Sequence, residues 1–353
     1  MTSIFDLETP AVLIDLDVVE TNIERAQSLF DAIGIGFRPH IKTHKIPFLA
    51  ELQMKQGAIG IAAQKISEAE VFAAAGFTDI LLCFNLLSPT KIARLRALMD
   101  SAHMTVVADN LDVVRALSAG MSGSETPLDV LVECETGAGR CGVQSPQAAC
   151  DLAQAIAAAP GLHFAGLMTY PAPGTTLKVQ AFLSQARDLC LAAVGHCAVI
   201  SGGGTPSLLD AGLAPILTEY RAGVYVYNDR SLVARGACTL AGCALTVLAT
   251  VVSRPTDTRA ILDTGSKSLT SDLAGLTGYG TILGFPEAEI TGLSEEHGTV
   301  TLKTGSNLPE IGQKLQIVPN HACPVSNLVD RVTFHRSGKV LREAEVAARG
   351  TVV

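Results

Sequence analysis

The chain has 353 residues, 48% hydrophobic and 17% charged, with 26 lysines and arginines against 34 aspartates and glutamates, a formal net charge of −8. That length suits one large α/β domain plus a smaller one, and the composition excludes a mainly disordered chain. The acidic balance leaves no basic face to neutralise phosphates at scale, so no nucleic-acid partner is expected and small-molecule chemistry is.

The opening MTSIFDLETP has neither a basic n-region nor a long apolar h-region, so no secretory signal is expected. Nine cysteines, odd in number and without a CxxC pair, fit reduced thiols and a cytoplasmic protein. After AVLIDLD come eight β-like runs: FRPHIKT (37–43), AIGIAA (58–63), DILLCF (79–84), TVVAD (105–109), DVLVECE (129–135), FAGLMTY (164–170), AVISGGG (198–204) and RAGVYVY (221–227). Between many of them, SEAEVFAAAG, PTKIARLRALMD, SPQAACDLAQAIAAA and VQAFLSQARDLCLAAV carry apolar residues at helical spacing. Alternating β and α units predict a parallel sheet, and eight of them predict an α/β fold of the (β/α)8 TIM-like barrel kind, with a doubly wound open sheet as the alternative.

Beyond about residue 230 the texture changes. ALTVLATVVS, RAILDTG, GTVTLKTG, KLQIVP, RVTFHRSG and KVLREAEVAARG are strands and turns with little helix between them. The expected division is a barrel over 1–230 and a mostly β domain over 231–353, with about the first 12 residues pairing with the β domain. Between Arg235 and Arg254 lie 18 uncharged residues, GACTLAGCALTVLATVVS, the bare length of a membrane helix. Their Gly, Thr and Ser content and β-branched end predict a buried strand pair instead, and no membrane partner.

The ends of the predicted barrel strands collect polar residues: Lys42, Gln64, Lys65, Asn85, Asp109, Glu135 to Arg140, Tyr170, Gly202 to Thr205, Tyr225 and Asn228. SGGGTPS follows strand seven, where barrels usually bind phosphate, and its glycines leave amides bare for an anion. Taken alone such a triplet is more often a turn. RPHIKTHK packs Arg38, His40, Lys42, His44 and Lys45 into eight residues. Either it is a solvated basic loop, or its cationic neighbours depress the pKa of Lys42 for Schiff-base chemistry. A phosphate cradle with a Schiff-base lysine points to pyridoxal 5′-phosphate. Arg140, in GAGRCGV, would then face the pyridine nitrogen and keep it unprotonated, or else be a surface arginine after a turn. In PNHACPVSNL, His321 and Cys323 at i, i+2 on an extended segment share a face, which suits an open catalytic metal; a buried histidine with an inert cysteine is the plainer alternative.

Together these motifs, from TPAVLIDLD through RPHIKTHK, AQKISEAE, GAGRCGV, SGGGTPS, EYRAGVYVYND, DTGSKSLTSD and SEEHG to NHACP, resemble the fold-type III pyridoxal-phosphate enzymes. Within them the chain is similar to the D-threonine aldolase and D-serine dehydratase family, whose barrel is that of alanine racemase. The resemblance implies that Lys42 carries the cofactor as a Schiff base and acts with Tyr170. It implies that Arg140, Tyr170, Gly203, Gly204, Thr205, Gly223 and Tyr225 bind the cofactor, and that His321 and Cys323 bind a divalent metal (Zn, Mn or Mg) beside the substrate's β-hydroxyl. It further implies a D-amino-acid substrate and a homodimer. AQKISEAE, GAGRCGV and GGGT resemble the aldolases, which would split D-threonine into glycine and acetaldehyde; KTHK and Cys323 resemble the dehydratases of D-serine or D-3-hydroxyaspartate. Tyr170 is followed by PAPG, where the aldolases carry a histidine. An amino-acid racemase and a non-catalytic carrier of the cofactor are the remaining alternatives.

Overall fold

Eight short parallel strands occupy the Val, Ile, Leu and Ala runs between residues 36 and 220, in a computed structural model that describes residues 2–302 and 309–353. They are Gly36–Phe37, Ile61–Ala63, Asp79–Leu82, His103–Ala108, Leu128–Cys134, Leu162–Thr169, Val199–Gly202 and Glu219–Tyr220. Each pairs with its successor except the first two, which meet through a parallel bridge from His40 to Ala62; the eighth pairs with the first and closes the (β/α)8 barrel. The strands are buried along most of their length, as parallel strands covered by helices must be. The helices between them start at local signals in the sequence: Asn110 and Ser145 cap Leu111–Met121 and Pro146–Ala157 with side-chain oxygens, and Gly195, at φ 91°, ends Thr176–Val194.

Inside the barrel, Ala62, Leu81, Val107, Leu131, Ala165 and Met168 form one buried apolar cluster. Gly166 lies where the pairing of Leu128–Cys134 with Leu162–Thr169 slips by one residue; its φ is 152°, and a Cβ there would lie 1.8 Å from the Val199 carbonyl oxygen. A chain of polar groups, buried except for Asp79, links several of the barrel strands. Arg38 donates from Nε to Glu219 at 2.8 Å and from Nη1 to Asp79 at 2.5 Å; Glu219 accepts from the Ser201 hydroxyl at 2.5 Å. Arg221 donates to Ser201 and, at 2.8 Å, to the Thr169 carbonyl. Buried charges persist only when paired in this way.

Several predicted strands are shortened, AIGIAA to Ile61–Ala63 and DILLCF to Asp79–Leu82 among them, and the eighth is displaced. FRPHIKT is a strand only at Gly36–Phe37, because Ile41–Thr43 winds into a 3-10 turn. AVISGGG ends as a strand at Gly202, since Gly203 takes a positive φ of 102°. The eighth strand is Glu219–Tyr220, ahead of RAGVYVY, whose Val224–Val226 is a 3-10 turn.

The compact unit holding the barrel comprises Ala26–Lys42, Pro47–Gly223 and Thr351–Val353; the other comprises Met1–Arg25, Thr43–Ile46 and Val224–Gly350. The second is built on a nine-stranded sheet in the order Arg259–Leu262, Gly298–Leu302, Ala288–Leu293, Thr281–Ile282, Lys314–Val318, Leu245–Thr256, Ala11–Asp15, Arg331–Arg336 and Lys339–Glu345. Arg259–Leu262 also pairs with Leu245–Thr256, so six of these strands form a closed ring. The uncharged run before Arg254 is a 3-10 turn, Leu240–Gly242, and one long strand rather than a strand pair. Among the described residues no helix is long and apolar enough to cross a membrane. Of GTVTLKTG, Gly298–Leu302 is a strand and residues 303–305 lie outside the described residues.

Glu219→Gln leaves the buried Arg38 with Asp79 alone, and is expected to cost about 3–5 kcal/mol in urea unfolding. The double change Arg38→Met with Glu219→Leu should recover most of that loss; equal stability of Glu219→Gln and the parent would contradict the pairing.

Candidate active site

Lys42 is the middle residue of the Ile41–Thr43 turn and is half-buried, its amide donating to His40 Nδ1 at 3.3 Å. The basic run around it is not an uncompensated cationic cluster: Glu219 and Asp79 neutralise Arg38, and Lys45 donates to the Ala348 carbonyl at 3.2 Å. His40 lies 3.3 Å from the Gln64 amide oxygen and His44 Nδ1 accepts from the Ile46 amide at 3.1 Å.

The glycine run owes its shape to a neighbouring ring. A Cβ on Gly203 would lie 2.4 Å from the Tyr220 ring, and the Tyr220 hydroxyl donates to the Gly204 carbonyl at 2.9 Å. Tyr220 therefore backs the loop and allows only glycine over it. Gly204 is the cap residue of the 3-10 segment Thr205–Leu213, so bare backbone leads directly into a helical start whose first amides suit an anion. Arg221 anchors the loop's base, its amide donating to the Gly202 carbonyl at 2.8 Å. These residues fit a phosphate group. Gly223 follows strand eight in the barrel unit, and Tyr225 is buried in the turn Val224–Val226 of the other unit.

GAGRCGV is held by a carboxylate. Glu135 accepts from the amides of Gly137, Gly139 and Arg140 at 2.5, 3.1 and 3.0 Å. Burial works against its charge, but these amides outweigh it and hold the carboxyl below its ordinary range. The turn presents Arg140 at the surface, with its guanidinium 4.5 Å from the centre of the Tyr170 ring. Glu133 beneath is raised by burial against the attraction of Arg140 and Arg221.

In the second unit His321 is extended, but Cys323 lies in the first turn of the helix Ala322–Leu328; a helix start, not strand alternation, brings the two together. His321 Nδ1 is 2.6 Å from Asp272 Oδ2, which leaves Nε2 for a ligand. Burial opposes charge on this imidazole, yet the Cys323 sulfur and Asp272 outweigh it and push it up to about 9. Asp229, fully buried, accepts from the amide of Ala322 between the pair at 3.1 Å and caps the helix Arg230–Ala234. Among the described residues no three His, Cys, Asp or Glu side chains converge as a metal cage. An imidazole and a sulfur with open positions nevertheless fit a catalytic cation. Asp272 and Asp229 were not singled out in the sequence; the Asn-Asp pair before Arg230 carries the signal of a helix cap, whereas Asp272 lies 49 residues from its histidine.

Residues 14–231 match the family described as Alanine racemase, N-terminal domain, and residues 244–335 that described as Putative serine dehydratase domain. The chain belongs to the fold-type III pyridoxal-phosphate enzymes, and within them to the lyase family of the D-threonine aldolases and D-serine dehydratases. The D-threonine aldolase of Arthrobacter sp is 35% identical over 98% of this chain and 93% of its own. The solved D-threonine aldolase from Filomicrobium marinum is similar with a TM-score of 0.88 and 34% identity, covering 99% of this chain and 98% of that one. The D-threo-3-hydroxyaspartate dehydratase from Delftia sp. HT23 is similar with a TM-score of 0.86 and 31% identity, covering 98% and 99%. A variant of that dehydratase is solved in a metal-free form, so metal binding occurs within the family.

Gly203→Ala should strain the loop against Tyr220 and weaken pyridoxal-phosphate binding, measured by absorbance titration, by at least about tenfold, equivalent to ~1.4 kcal/mol. Unchanged affinity would remove the loop from the phosphate site.

Proposed function

We propose that the protein is a divalent-metal-assisted aldolase that splits D-threonine, or a related β-hydroxy-D-amino acid, between Cα and Cβ into glycine and an aldehyde. The aldolase reading is supported by AQKISEAE, GAGRCGV and GGGT and by 35% identity to a D-threonine aldolase; a lyase rather than a racemase is supported by His321, oriented by Asp272, beside Cys323, a two-donor pair that has a use in polarising a β-hydroxyl and none in racemisation. Pyridoxal phosphate, when bound, supplies the electron sink that takes up the pair from the broken bond. Lys42 would hold the cofactor through its amine. Once free, that amine would give a proton to Cα, while the β-hydroxyl's proton would pass to solvent water, so that the two transfers balance. Gly203, Gly204 and Thr205 would hold the phosphate, with Gly223 nearby in the same unit. Arg140, whose guanidinium lies over the Tyr170 ring, would pair with the pyridine nitrogen, and Tyr170 would help orient the substrate. His321 and Cys323 hold the cation, and a thiolate favours zinc over manganese or magnesium.

A dehydratase is the second reading, favoured by Cys323 where the aldolases carry aspartate. Lys42 would then remove the α-proton, the metal would assist departure of hydroxide, and D-serine would yield pyruvate and ammonia.

The test incubates the purified, cofactor-loaded protein with D-threonine, D-serine and D-threo-3-hydroxyaspartate, with zinc, manganese or chelator, and separates aldehyde from keto acid. Glycine and acetaldehyde from D-threonine, lost on chelation and in Lys42→Ala by at least about a thousandfold, are expected. Keto acid with ammonia would select the dehydratase. Turnover retained in Lys42→Ala, or racemisation that survives chelation, would overturn both readings.

A further inference from the structure

We propose that Thr43 is a positioning residue for the metal centre, its hydroxyl holding the Cys323 sulfur in the orientation that binds a cation and favours a soft one. The inference rests on the reading of His321 and Cys323 as the metal pair.

Thr43 closes the Ile41–Thr43 turn and is fully buried. Its Oγ1 lies 3.2 Å from Cys323 Sγ. With a protonated thiol either atom could donate. A metal-bound thiolate has no proton to give, so the hydroxyl must then be the donor. The direction of that hydroxyl is well fixed, because a β-branched side chain is stiff at χ1. A buried hydroxyl is costly unless it is hydrogen-bonded, and valine would fill nearly the same volume without that cost.

Each other part of the pair has its own support. Asp272 fixes the His321 ring through Nδ1, and Asp229 fixes the peptide between the ligands through the Ala322 amide. Thr43 is the neutral donor aimed at the sulfur itself. Such outer partners set ligand direction, and losing one commonly weakens metal binding by about 10–100-fold. A thiolate pointed at the cation matters most to a soft metal and least to a hard one, so the loss should fall on zinc more than on manganese.

The experiment strips the full-length protein of metal and titrates zinc and manganese in competition with a chromophoric chelator, in the parent, Thr43→Ser, Thr43→Val and Cys323→Ala. Thr43→Ser should bind zinc within about threefold of the parent, and Thr43→Val about 10–100-fold more weakly with a smaller change for manganese. The metal-free melting temperature of Thr43→Val should stay near that of the parent. Parent-like zinc affinity in Thr43→Val would overturn the proposal. So would equal weakening in Thr43→Ser, which would assign the effect to the lost methyl group. A parent that binds no cation, or a Cys323→Ala protein that binds zinc as tightly as the parent, would remove the metal pair, and this proposal with it.

Discussion

Glu219 carries the arrangement of the barrel's interior. Its buried carboxylate holds Arg38 just past the end of the first strand and Ser201 on the seventh, and Ser201 passes the connection to Arg221 and so to the Thr169 carbonyl on the sixth. An apolar residue at position 219 would leave Arg38 with Asp79 alone and the Ser201 hydroxyl without its carboxylate partner. The same network sits beneath the glycine run, because Arg221 bonds the Gly202 carbonyl and Tyr220, between the two charged residues, is the ring over which only Gly203 fits. Rigidity at the anion loop is thus inherited from a paired charge in the interior.

The metal pair obeys a different logic. Its two donors are adjacent in sequence, but carboxylates and a hydroxyl from elsewhere in the chain give the pair its geometry: Asp272 on the ring, Asp229 on the intervening amide and Thr43 on the sulfur. Thr43 belongs to KTHK, so two of the segments in which this chain resembles the dehydratases, KTHK and the one carrying Cys323, touch each other.

The barrel was legible because its strands are apolar runs separated by helices with explicit caps, such as Ser145 and Asn110, and each signal is local. What went astray were ends. Ile41–Thr43 and Val224–Val226 have the β-branched and aromatic content of strands, yet tertiary pairing stops at Phe37 and Tyr220 and the chain turns instead. At the site, Lys42, the glycine run and His321 with Cys323 stood out by residue type and spacing. Asp272, Asp229 and Glu219 did not, since a carboxylate that supports another residue from tens of positions away leaves no periodic trace. The pairing of Arg38 left no trace for the same reason: its carboxylate partners lie 41 and 181 residues away.

X-ray absorption at the zinc edge of the loaded protein tests the metal pair most directly. One sulfur at about 2.3 Å with imidazole nitrogen at about 2.0–2.1 Å is the expected shell, and the sulfur should vanish in Cys323→Asp. A shell of nitrogen and oxygen alone in the parent protein would contradict the assignment of Cys323 and the soft-metal chemistry built on it.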